Sequence, residues 1–141
     1  MTSKVIVTAA DEGTPIAVKV VAGQCHDGPL LEPLLADTAA RVADIDEVVG
    51  DKGFDGEPQR QACRRYGAEP VIPPRSNRVN PEPLNEESYR ERNRVERLFG
   101  KLKEFRRVAT RYDKRKTMFV GWLHLILGFI CLRKRTNVNT A

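Results

Sequence analysis

The chain has 141 residues, 40% of them hydrophobic, enough for one domain with a buried core. Its three cysteines, Cys25, Cys63 and Cys131, are scattered and form no CxxC pair, which argues against a disulfide framework or structural zinc and suits the reducing cytosol. The net charge of +5 is unevenly spread: residues 1–56 carry four basic and ten acidic side chains, a balance of −6, and residues 90–116 carry twelve basic and four acidic, a balance of +8.

Lys4–Ala9 and Ile16–Val21 are rich in Val and Ile and flank Asp11-Glu12-Gly13-Thr14, a pattern that predicts a β-hairpin over 3–22. His26-Asp27 offers a cap and Pro29 a first helical turn, before Leu30, Leu31, Leu34, Leu35, Ala39 and Val42 at helical spacing. A strand is expected over 45–51, ending at Gly50-Asp51. Pro58 opens a further helix, which Gly67 stops, and Asp55 caps the turn before it. Ala68–Ile72 is another strand, halted by Pro73-Pro74, and Arg75–Pro83 is a polar loop. A long helix is expected over 85–105. Residues 117–135 form a C-terminal apolar helix whose apolar run, Thr117–Leu132, is sixteen residues long. That is short of the roughly 20 needed to span a membrane, so it reads as a buried core helix and no membrane is implied. The order ββαβαβα implies an α/β sandwich around a mixed sheet.

On the long helix, at about 100° per residue, Tyr89, Arg92, Glu96 and Lys103 line one narrow stripe. Val95, Leu98, Phe99, Leu102 and Phe105 form a contiguous apolar face beside it. Glu96 therefore borders the core face, with two cations and a phenol on its own stripe. By spacing alone it could equally be one partner of an ordinary surface ion pair. Asp51 could equally start a turn. The basic stretch suits a polyanion such as DNA, or is a solvated helix face.

Four ordered stretches carry a family resemblance. Tyr89-x2-Arg92-x3-Glu96-x6-Lys103 resembles the signature around the catalytic Glu of bacterial insertion-sequence DDE transposases. Gly50–Asp55, Glu69–Arg78 and Phe105–Lys114 are similar to the same family, so the likeness runs from about residue 3 to residue 135. It implies an α/β, RNase H-like mixed sheet flanked by helices. Asp51 is then the second catalytic Asp and Glu96 the catalytic Glu. Both would hold metal, as two Mg²⁺ or Mn²⁺ ions bound by hard oxygen donors. The reaction implied is hydrolysis at a transposon end, then attack of the freed 3′-OH on target DNA.

Within that resemblance, Tyr89, Arg92 and Lys103 are expected near the reacting phosphates. Arg75, Arg78, Arg106, Arg107 and Arg111 are expected on the DNA backbone, and His26 in a structural role. Asp11, in the hairpin turn, is a poor stand-in for the family's first catalytic Asp. That Asp and its strand are expected upstream of residue 1. The chain is accordingly expected to be inactive alone, to work with an upstream-encoded transposase half, and to form an oligomer on DNA at the nucleoid. A non-catalytic DNA-binding or regulatory remnant is the alternative, and an RNase H-like nuclease outside transposition a third reading.

Overall fold

A computed structural model describes residues 3–105 and 116–139. The chain divides into two compact units, Met1–Thr8 with Ala17–Arg92 and Ala9–Ile16 with Asn93–Ala141.

In the first unit, the hairpin expected over 3–22 is β1 (Ser3–Asp11) and β2 (Thr14–Ala22), whose turn lies in the second unit. A 3-10 turn at Gly28–Leu30 carries Pro29 and runs into α1 (Leu31–Ala39). Asp27 does not cap it through its side chain; the carboxylate turns instead to Lys4 Nζ, 2.7 Å away. Strand β3 (Glu47–Val49) pairs in parallel with β4 (Glu69–Val71), in the register Glu47–Glu69, Val48–Pro70 and Val49–Val71. Between them lies α2 (Glu57–Arg65), with Pro58 in its first turn. Gly67 ends it at φ +77°, a left-handed conformation open to glycine. Its N–H reaches Arg64 O and the Ala68 N–H reaches Cys63 O, satisfying the last carbonyls of the helix.

The core of this unit is Leu31 and Leu35 from α1, Ala62 and Cys63 from α2, and Ala68, with Ile45, Val48, Phe54 and Tyr66 packed against it. A Leu buried as fully as Leu35 contributes about 1.5–3 kcal/mol. Thr38, also buried, donates its hydroxyl to Leu34 O at 2.8 Å and shares a hydrogen bond with Thr8 Oγ1 at 2.7 Å, joining α1 to β1.

The single mixed sheet expected is two separate two-stranded sheets, β1–β2 and β3–β4. The physical reason is that no described strand runs between them to share backbone N–H and C=O groups with both. What stands is a mixed α/β architecture.

The helix expected over 85–105 is also divided, into α3 (Glu86–Tyr89) and α4 (Arg92–Lys103). Asn85 caps α3, accepting the Ser88 N–H at 3.2 Å. Ser88 Oγ donates to Glu47 on β3. At the break, the Glu91 N–H bonds Ser88 O, three residues back. From Asn85 to Arg94 the only aromatic or aliphatic side chain is Tyr89. Such a stretch has no apolar stripe to hold a helix straight by burial.

In the second unit, α4 buries Leu98 and Leu102, both on the face expected to be apolar. Helix α5 (Lys116–Asn139) buries Phe119, Leu123, Ile126, Leu127 and Ile130. Phe105 meets Phe129 edge to face, ring centres 6.0 Å apart. Helix α5 was expected to be a buried core helix, and it is buried along one face. The buried residues recur at helical spacing on one stripe, while Met118, Leu125, Phe129 and Leu132 are exposed. Residues 117–134 have the length and composition of a membrane span. One-sided burial in this unit gives the apolar stripe a partner within the protein.

Within the same unit, Asp11 takes the Gly13 N–H at 2.8 Å and the Lys134 ammonium. Arg97 pairs with Glu12 at 3.1 Å, and Lys101 donates to Glu12 O. Burial alone would raise the Asp11 pKa; the bonds from Lys134, Gly13 and Thr14 outweigh it and hold the carboxyl low. Asp11 is thus committed to closing the hairpin, as its place in the turn implied.

Candidate active site

Asp51 stands two residues beyond β3, after Gly50. The β4 pairing continues past the strand, Gly50 N–H donating to Val71 O at 3.1 Å, so the chain is still sheet-bound one residue before Asp51. Asp51 then caps a 3-10 turn at Lys52–Phe54, its Oδ1 accepting the Gly53 N–H at 2.8 Å. A Cβ built on Gly53 would lie 2.9 Å from Asp51 Oδ1 and 3.2 Å from Asp27 Oδ2. Two carboxylates therefore border one glycine, and a side chain there would crowd Asp51 Oδ1 most. Asp27 came from the His26-Asp27 pair read as a helix cap. Its nearness to Asp51, 24 positions away, has no local sequence signal.

Behind this turn lies a buried ion cluster. Asp55 and Arg60 are 1% and 2% exposed, and Arg60 Nε meets Asp55 Oδ1 at 3.0 Å. Arg78 Nη1 bonds the same oxygen, and the Arg75 N–H reaches Asp55 Oδ2 at 2.7 Å. Arg60 also donates to Ile72 O at 2.7 Å and to Glu82, which pairs in turn with Arg64 at 2.8 Å. Burial by itself would raise the Asp55 pKa. The Arg75 N–H and the Arg60 and Arg78 guanidinium groups outweigh it and hold the carboxyl below its ordinary value. Asp55 was expected to cap the turn before Pro58. Instead Gly56 is the N-cap of α2, without a side-chain bond, because the Asp55 carboxylate is drawn to the three arginines.

The loop arginines are placed by the same cluster. Arg75 Nε donates to Lys52 O and Nη2 to Gly53 O, each at 3.0 Å. Arg78 spans Asp55, Glu57 and Asn80 O. Both were expected on DNA, and both have intramolecular work at the Asp51 turn and the start of α2. Arg60 was not singled out from sequence. Its partners lie 5, 12 and 22 positions away, separations that follow no helix or strand period.

Glu96 lies on α4 in the second unit and is exposed, as is Lys103; Arg92 is half-buried at the start of α4. Tyr89 ends α3, so the proposed Tyr89-Arg92-Glu96-Lys103 stripe is carried on two helical segments, not one. Arg106, Arg107 and Arg111 lie outside the described residues. Among the described residues no group of three or more His, Cys, Asp and Glu side chains forms a ready metal cage.

Comparison with known proteins places these features in a family. The family model described as the transposase DDE domain matches residues 2–131. A Brucella ovis protein assigned as a transposase for insertion sequence element IS6501 is similar, at 29% identity over 134 residues. That alignment takes in 94% of this chain and all of the relative. No solved structure matches the chain. Because the family match runs through Asp51, the Asp55 cluster and Glu96 alike, the chain belongs to the transposase DDE-domain family.

Proposed function

We propose that the protein acts in DNA transposition, as part of a metal-dependent endonuclease and strand-transferase at insertion-sequence ends, built on an RNase H-like frame. The observation that carries the reading is Asp51: a carboxylate just past the sheet-bound Gly50, braced by the Gly53 N–H, inside the matched family region. In this reading Asp51 and Glu96 are metal ligands and catalytic residues. The donors suit the cation, since carboxylate oxygens are hard ligands of the kind Mg²⁺ and Mn²⁺ prefer. When bound, a pair of such ions supplies activation of the attacking oxygen and charge stabilisation at the leaving one.

The chain's own residues then do the positioning. Asp51 offers an oxygen whose direction is set by the Gly53 amide. Arg92, Lys103 and Tyr89 hold the DNA strand near Glu96. Arg75, Arg78, Arg106, Arg107 and Arg111 add backbone affinity that falls steeply with salt. A third carboxylate, supplied by a partner chain, would complete the set of hard oxygen donors. The assembly works as an oligomer on DNA in the cytoplasm, at the nucleoid.

Mn²⁺ titration of the full chain tests this. Asp51→Asn and Glu96→Gln should each weaken binding by tenfold or more, while affinity for DNA without metal stays unchanged. Equal Mn²⁺ affinity in wild type and both variants would remove the nuclease assignment. It would favour a second reading, a non-catalytic DNA-binding or regulatory protein.

A further inference from the structure

We infer that Arg75 is a positioning residue for Asp51, acting through the peptide group between Lys52 and Gly53. This rests on the reading of Asp51 as a metal ligand. The geometry is a relay across one rigid plane. The carbonyl of Lys52 and the N–H of Gly53 belong to the same peptide unit, which is planar. Arg75 Nε donates to that carbonyl at 3.0 Å, and the N–H on the other side donates to Asp51 Oδ1 at 2.8 Å. Arg75 Nη2 takes the next carbonyl, Gly53 O, at 3.0 Å. Two donors of one guanidinium thus fix two successive peptide planes, and the first sets where the Asp51 oxygen sits.

Arg75 is itself anchored. Its backbone N–H is held by Asp55 Oδ2 at 2.7 Å, and Asp55 is locked by buried Arg60 and by Arg78. The buried ion cluster therefore ends, through Arg75, on the amide that orients Asp51. Lysine cannot replace this fork: it has one compact ammonium, whereas the two bonds leave a planar group in fixed directions. Residues that orient a metal ligand without touching the ion commonly change affinity tenfold to a hundredfold when altered.

The test uses the full chain with Arg75→Lys, which keeps the charge, and Arg75→Ala, which removes it; Asp51→Asn is the reference. Two quantities are measured: hydrogen exchange at the Gly53 amide by NMR, with α2 amides as an internal control, and Mn²⁺ affinity. In both Arg75 variants, Gly53 exchange should rise at least tenfold while α2 exchange is unchanged. Mn²⁺ affinity should fall about tenfold or more.

Unchanged Gly53 exchange in both variants overturns the inference. So does Mn²⁺ binding that Asp51→Asn weakens and Arg75→Lys does not. If Asp51→Asn leaves Mn²⁺ affinity intact, the metal reading fails by itself, and the exchange result alone decides whether Arg75 orients Asp51.

Discussion

Asp55→Ala should be among the most damaging single changes in the first unit. Asp55 receives three donors in a site where its own side chain is 1% exposed and that of Arg60 is 2% exposed. Removing the carboxylate strands a buried guanidinium, and breaking a buried pair from one side costs about 3–5 kcal/mol. Arg60 keeps its bonds to Ile72 O and Glu82, which places the loss near the lower end, about 3 kcal/mol. With a urea dependence of roughly 1–3 kcal/mol per M, the unfolding midpoint should drop by about 1 M or more. The pH dependence has a fixed sign. The folded pKa of Asp55 is depressed, so its stabilisation is complete above the unfolded value, about 3.9, and is lost as pH falls through the folded value. Wild type should lose this stabilisation in acid, and Asp55→Ala should lack that acid-sensitive component. The double variant Asp55→Leu with Arg60→Met should recover most of the loss, because an apolar pair leaves no charge buried. A loss below about 1 kcal/mol in the single variant, or no recovery in the double, would refute the reasoning.

Other expectations can be checked alongside it. Gly67→Ala should cost about 1–2 kcal/mol, measured by urea unfolding, from backbone strain alone. Gly67 has φ +77°, and open space surrounds the position a Cβ would take. Cys63 is fully buried, and burial pushes its thiol up to about 11. At pH 8 in native protein, a thiol reagent should therefore label Cys25 and Cys131 and spare Cys63 until unfolding. On α5, Leu123→Ala should cost about 2–5 kcal/mol, since Leu123 is fully buried, while Leu125→Ala, at 63% exposure, should stay within about 0.5 kcal/mol by the same unfolding assay.

Much of the architecture was open to reading because its causes are local. The hairpin follows from alternating Val and Ile about a Gly-containing turn, and the ends of α2 from Pro58 and Gly67. The apolar face of α4 follows from spacing, and Leu98 and Leu102 are indeed buried there. Where the reading failed, a local rule met a competitor it could not see. Asp27 and Asp55 look like caps, yet Lys4 claims the first carboxylate from 23 positions away, and Arg60, Arg75 and Arg78 claim the second from 5, 20 and 23. The helix across 85–105 looks continuous by pattern, yet its first ten residues offer almost nothing apolar to bury, and it breaks at 90–91.

The amino-acid sequence by itself determined the family, the hairpin, the ends of α2 and the apolar face of α4. Ordered motifs, turn residues and hydrophobic periods are written in neighbouring positions. Only the tertiary structure decided that Arg60 is buried, that Arg75 and Arg78 bond carbonyl and carboxylate groups of the chain itself, and that Asp27 and Asp51 both border Gly53. A guanidinium goes to whichever carboxylate or carbonyl folding places within about 3 Å, and the partners of these three lie up to 23 residues away along the chain.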